Sequence, residues 1–312
     1  MIRVSTNMFP NTLVNQLAQI EQNQQQLQNE AATGLSVQFP SDNPSAMRRV
    51  MDMQAQANNV AQYQSNIATL KDQSTAAYTT MQSLQTISDR AGEIATSADG
   101  TASPQQLSTY AAEVTQLIQQ AGTLMNSQNQ GTYLFGGTIS TQPPYVLTTD
   151  GSGNVTGATY QGNTTVPSME IAQGATLSTL PVGANTSGTG TSGLITDTRT
   201  GADFFNHLIS LQNHLLAGNT SAISTTDSPA LQKDSQNITT QIATQGALQS
   251  RMETASQIAA NQATSLSQEI SSQADADMST VLVKLNATQT AYQAAIQSGA
   301  KMLNLSLLDY LR

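Results

Sequence analysis

Both ends of the chain carry narrow apolar seams at coiled-coil spacing, and no other feature restricts the fold as much. Leu13, Leu17, Ile20, Gln24, Leu27 and Ala31 advance in alternating steps of four and three near the start. Met278, Leu282, Leu285, Gln289, Tyr292, Ile296, Gly299 and Leu303 do the same near the finish. Such stepping keeps a stripe on one side of a helix, and a stripe this narrow is covered only by another helix of the same kind. The simplest partner for the first helix is the last, within one chain or within a polymer. The Ala, Gln and Gly positions make burial modest. At roughly 1.5–3 kcal/mol per buried Leu, about ten such positions barely exceed the entropy of ordering some fifty residues. The ends are therefore expected to be disordered in the free monomer and to fold on assembly.

Composition agrees with a thin helical core. Of 312 residues only 38% are hydrophobic and 4% aromatic, and Trp is absent, which favours long helices with small seams over a wide interior. A formal charge of -9 opposes binding to phosphate backbones, so nucleic acid is not an expected partner. With no Cys there is no disulfide and no thiolate metal site. Met1 to Pro10 hold no apolar run of secretory length, and no stretch approaches the 18 or so apolar residues of a membrane span. No cleaved signal peptide and no membrane insertion are expected, an extracellular and an intracellular life both remain open, and any export would need a route without an apolar leader.

The pattern along the chain predicts a first helix over residues 11–33, stopped by Gly34. A loop with Pro40, Ser41, Asp42, Asn43 and Pro44 follows, in which Asn43 reads as a helix cap and Pro44 as the first helical residue. A second helix then runs to about residue 98, and a third from Pro104 ends near Gly131. The composition turns to Thr, Gly, Ser and Val from Thr138 to Thr200, as in a small β-rich insert. One hairpin is expected to join Tyr145–Thr149 to Val155–Tyr160, and residues 182–193 read as flexible. Helix resumes at Asp203, pauses at Gly218, and continues from about Ser228 to Leu308, about 120 Å if unbroken. The fold class is thus mainly α: a long antiparallel coiled-coil rod built from both chain ends, with a small β-rich domain inserted in the middle. The expected domains are residues 1–43 with 272–312, residues 44–137 with 203–271, and residues 138–202.

Residues with reactive chemistry are few and badly spaced for catalysis. His207 and His214 share a helix face about 10.5 Å apart, too far to hold one zinc ion without other ligands, and read as solvated helix residues. Asp150, Gly151, Ser152, Gly153 and Asn154 resemble the start of a calcium loop, but Val155 and Gln161 occupy the turn-glycine and bidentate-glutamate positions, which favours a hairpin turn. Asp275 and Asp277, two apart on a helix, would face different ways. There is no nucleophile elbow, phosphate loop or thiol. Neither an enzyme nor a bound cofactor or metal is expected.

Four strings then point to a family. Arg3 to Met8 (RVSTNM), Gly34 with the later Pro40, Ser41, Asp42, Asn43 and Pro44, the string Leu134, Phe135, Gly136, Gly137 and Thr138, and the tail Ser306 to Leu311 (SLLDYL) stand in order. Together they resemble the bacterial flagellar hook-associated protein 3 family, the flagellin-like hook–filament junction proteins. The resemblance covers about residues 1–138 and 203–312; Asn43 stands where the family often has a second Asp. It implies export through the flagellar type III apparatus and assembly as a ring whose paired terminal helices form an inner tube. The partners it implies are further copies of the chain, the first hook-associated protein on one side, flagellin on the other, and an export chaperone on the C-terminal helix. The location implied is the extracellular flagellum. The assembly interface would comprise Leu13, Leu17, Ile20, Leu27, Met278, Leu282, Leu285, Tyr292, Ile296, Leu303, Leu307 and Leu308. A flagellin-type filament subunit shares the terminal-helix plan and is the alternative, although its post-loop motif and tail differ from those seen here.

Overall fold

The computed structural model describes residues 8–98 and 100–310. The helices are α1 (Met8–Thr33), α2 (Pro44–Ser97), α3 (Pro104–Met125), α4 (Phe204–Leu216), α5 (Thr220–Ala222), α6 (Ser228–Ala274) and α7 (Met278–Tyr310), with a π turn at Ile223–Asp227. The strands are β1 (Gln128–Asn129), β2 (Thr132–Tyr133), β3 (Tyr145–Thr149), β4 (Val155–Tyr160), β5 (Met169–Ala172), β6 (Ala175–Leu177), β7 (Val182–Asn185), β8 (Gly193–Asp197) and β9 (Ala202–Asp203). The chain is mainly α with a β-rich middle, as its sequence predicts. It forms two compact units: Met1–Asn59 with Gln262–Arg312, and Val60–Asn261.

In the first unit, α1 stops where the sequence places its end. Gly34 adopts φ 75°, the left-handed cap conformation that costs glycine nothing, and its N–H donates to Glu30 O at 2.9 Å. The Asn43 carboxamide oxygen accepts from Ala46 N–H at 3.1 Å, while Pro44 opens α2 with no N–H to satisfy. The long C-terminal helix of the sequence reading is broken. Its backbone opens over residues 275–277, and Asp275 and Asp277 sit in the break, which corrects the expectation that both ride on a helix. Asp277 instead starts α7: its carboxylate accepts Ser279 N–H at 3.0 Å and Thr280 Oγ1–H at 2.7 Å. These hydrogen bonds hold the Asp277 carboxylate below its ordinary pKa, the Thr280 hydroxyl foremost. Short polar side chains compete for backbone donors in this way, and an apolar period that continues beyond the break conceals it.

The second unit gathers its core from α2, α3, α4 and α6 with the β segment laid on it. Met81 and Leu84, Ile118 and Met125, Phe135, Phe204 and Phe205, and Ile238 are all buried in one cluster. Ser103 and Gln106 form a reciprocal cap at the start of α3. The end of α3 falls at Met125 and not near Gly131. Asn126 leaves the helix to pair both ways with the Tyr145 backbone, at 2.8 and 2.9 Å, and β1 and β2 make a tight hairpin in its place. The predicted β3–β4 hairpin is present, Tyr145 opposite Tyr160. Both Asp150 carboxylate oxygens are taken by donors of that turn, from Ser152 and Asn154, as a hairpin turn requires.

The expectation of flexibility over residues 182–193 is corrected at its two ends, which lie in strands, while residues 186–192 form a loop. Val182–Asn185 is a buried strand, parallel to β8, which is antiparallel to β9. Small residues read as loose linker in sequence, yet here their size lets the strand pass through the interior. Asn185, wholly buried, ties the following loop by donating to Thr189 O and Thr191 O, both at 2.7 Å.

Candidate assembly site

The two ends meet as helices. In α1, Leu13, Leu17, Ile20, Gln24, Leu27 and Ala31 are half-buried, the stripe read from the sequence. Leu13 seats on Gly299, where an added Cβ would stand 2.5 Å from Leu13 Cδ2. Leu27 shares a shallow groove with Lys284, Ala287 and Thr288. The start of α1 thus meets the far part of α7 and its end the near part, so the pair is antiparallel.

On α7 the inner face is offset from the predicted seam. Leu285, Gln289 and Tyr292 are half-buried and Gly299 buried, while Val281, Thr288 and Ala295 complete that face. Met278, Leu282 and Ile296 are 39%, 49% and 46% exposed, with Val283 and, on α1, Val14 more exposed still. At about 100° per residue, positions 281, 288 and 295 lie one step round the helix from 282, 289 and 296. Sequence spacing shows that a stripe exists. It cannot say which edge of a wide stripe the partner takes, and Ala and Thr gave no signal. The side chains of Leu303, Leu307 and Leu308 lie outside the described residues, as do the Arg3–Asn7 string and Leu311.

The loop motif fastens the two helix breaks to each other. Leu35 bridges Asp275. Ser36 N–H donates to Ala274 O at 2.7 Å, Ala276 N–H to Gly34 O at 2.8 Å, and the Ser36 hydroxyl also reaches Ala274 O at 3.1 Å. Within the motif, Asp42 accepts from Phe39 N–H at 2.8 Å and Gln38 N–H at 3.1 Å, and these two donors, Phe39 first, depress its pKa. Asn43 and Pro44 start α2, whose Arg49 donates twice to Gln273 Oε1 of α6. Pro40 and Ser41 are exposed. Ser36 and Arg49 escaped the sequence reading because their partners stand more than 200 residues away.

The Leu134–Thr138 string belongs to the second unit and is structural there. Leu134 and Phe135 are buried. Phe135 O accepts from Tyr160 OH and from Gly183 N–H, both at 2.9 Å. Gly136 and Gly137 let the chain turn against backbone: a Cβ on Gly136 would strike Ile139 O, and Gly137 has φ 68° with Thr165 O 2.7 Å from its Cβ position. Asn163 closes the knot. It accepts Thr138 N–H at 3.1 Å and donates to Thr138 Oγ1 at 2.7 Å.

The two histidines are not simply solvated. His207 lies 2.7 Å from Asp234 and His214 2.7 Å from Asp227, and both carboxylates are buried. A helix pattern shows the face that a histidine occupies, but not a carboxylate arriving from another helix.

Among the described residues no group of three or more His, Asp or Glu could hold a metal ion, and no helix is long and apolar enough to cross a membrane. Fold and site define a class of helical structural subunits that pair their first and last helices and carry a β-rich segment between them. Two family models match the chain: the bacterial flagellin N-terminal helical region over residues 4–140, and the bacterial flagellin C-terminal helical region over residues 230–311. The chain belongs to the bacterial flagellin family, and as such is an exported structural component of the flagellum. A comparison with curated proteins finds no match. Solved structures share the fold. A flagellar hook-associated protein from Vibrio parahaemolyticus is 20% identical with a TM-score of 0.63, over 75% of this chain and 100% of that one. FlgL of Bacillus cereus is 22% identical with a TM-score of 0.53, over 70% and 99%. FlgL of Xanthomonas campestris is 17% identical with a TM-score of 0.56, over 69% and 98%.

Proposed function

We propose that this chain is the hook–filament junction protein, hook-associated protein 3, a non-enzymatic adaptor that joins the hook, through the first hook-associated protein, to the flagellin filament. The observation that carries the reading is the antiparallel α1–α7 pair, covered along one face of α7 while Met278, Leu282 and Ile296 stay outward. An isolated soluble helix pair has no use for such a stripe, whereas a subunit stacked in a tube covers it with its neighbours. The four motifs and the likeness to the hook-associated structures favour the junction within the family. Leu303, Leu307 and Leu308 extend the interface. Export runs through the flagellar type III apparatus with a chaperone on the C-terminal helix, and residues 138–202 face outward.

Deleting the gene is expected to leave hooks without filaments while flagellin leaks into the medium; intact filaments would overturn the reading. The family models also suit a filament subunit of flagellin type, and seeding separates the two. A junction protein stops at a short layer on seeds, whereas a filament subunit extends them into long filaments. In either case the terminal pair, marginal alone, gains most of its order on assembly. Amide exchange in α1 and α7 is expected to slow markedly in the polymer, and equal protection in monomer and polymer would count against this.

A further inference from the structure

Two buried carboxylates in the second unit have no part in the terminal pairing. The Asp234 side chain on α6 is 0% exposed and that of Asp227, last residue of the π turn, 1%. They stand seven residues apart, close to two helical turns and so on one face, and His207 and His214 of α4 are spaced alike. The two sets meet in register through His207 Nδ1 to Asp234 Oδ2 and His214 Nδ1 to Asp227 Oδ2, each 2.7 Å. The remaining oxygens are also used: Asp234 Oδ1 accepts Asp203 N–H at 2.8 Å and Asp227 Oδ1 accepts the Ser210 hydroxyl at 2.7 Å. Every link between the buried acids and α4 is thus a charge-assisted hydrogen bond, which is the condition for keeping a carboxylate out of water.

We propose that the His207–Asp234 pair is a proton-operated latch that holds α4 on α6 and loosens as the pH rises above neutral. The charges acting on His207 are all acidic: Asp234 on α6, Asp203 at the head of α4 and Asp227 in the π turn. Bases on the neighbouring elements face other groups. Arg199 after β8 is bonded to Asp197, Lys233 of α6 is exposed, and Arg90 of α2 is bonded to Glu113 of α3. Among the described residues, the charges that act on the imidazole favour its proton.

The hydrogen bond to Asp234 raises the His207 pKa above its ordinary 6.5 against the opposing effect of burial, and burial raises that of Asp234. Both shifts make the folded state the better proton acceptor. By linkage the latch contributes fully below the unfolded histidine value and is lost as the pH climbs through the folded one.

The test is the unfolding midpoint of the full chain between about pH 6 and about pH 8.5, for the native protein and for His207→Gln, which keeps a donor near Asp234 but does not titrate. The native folding equilibrium constant is expected to fall about tenfold for each unit by which the His207 pKa is raised, and the variant to lack that fall. The same pH dependence in both would overturn the latch. A second measurement does not depend on the variant's folding. The chain has two histidines, so the imidazole signals of the native protein, with His214→Gln for assignment, report His207 alone. Titration above its ordinary value supports the latch, and titration at or below it overturns it.

Discussion

Leu285→Asp is expected to abolish assembly while residues 60–261 stay folded. Leu285 is half-buried on the face of α7 turned to α1, and a carboxylate there would be drawn partly out of water along an apolar seam. An unpaired charge in such a seam costs several kcal/mol, and the Ala, Gln and Gly content of the pair leaves little reserve. Leu17→Asp, from the opposite helix, is expected to act alike. Ile258→Asp, at a site 60% exposed in the second unit, should change nothing beyond about 0.5 kcal/mol. Electron microscopy of seeded assemblies reads the first effect, and thermal unfolding with limited proteolysis reads the integrity of the second unit. A Leu285→Asp chain that assembles as well as the native one would show that the interface lies elsewhere.

Gly137→Val should be the most damaging single change to the second unit. Its backbone has φ 68°, and a Cβ would lie 2.5 Å from Asn163 O and 2.7 Å from Thr165 O. A left-handed conformation alone costs an L-residue about 1–2 kcal/mol, and more when the side chain is β-branched. The contact is with backbone, which cannot swing aside, and the knot it disturbs seats the buried Phe135. A loss above about 3 kcal/mol in urea unfolding is expected. Gly246→Ala is the contrast: this helical glycine has open space around its Cβ position, so alanine should stabilise by about 0.5–1 kcal/mol. Equal effects of the two substitutions would refute the account of the knot.

Some of this was legible because its cause is local. Gly34 ends α1, Asn43 and Pro44 begin α2, and Asp150 to Asn154 turn the β3–β4 hairpin, each through dihedral preferences and hydrogen bonds closed within about five residues. The stripe on α1 was legible too, since the positions its spacing marks are the half-buried ones. The inner face of α7 was not. Val281, Thr288 and Ala295 are covered while Met278, Leu282 and Ile296 stay exposed, and which edge of a stripe is covered depends on the partner helix, which the spacing does not show.

The break at residues 275–277 was hidden for a similar reason: the bonds from Ser36 and to Gly34 that occupy its backbone come from the other end of the chain. The buried strand Val182–Asn185 and the paired histidines follow the same rule. Local chemistry in the sequence determined where helices, caps and turns form and that both ends carry a stripe. The tertiary structure decided which side of each stripe is covered, which carboxylates lie inside and what they bond to, because burial and pairing depend on neighbours that only folding brings together.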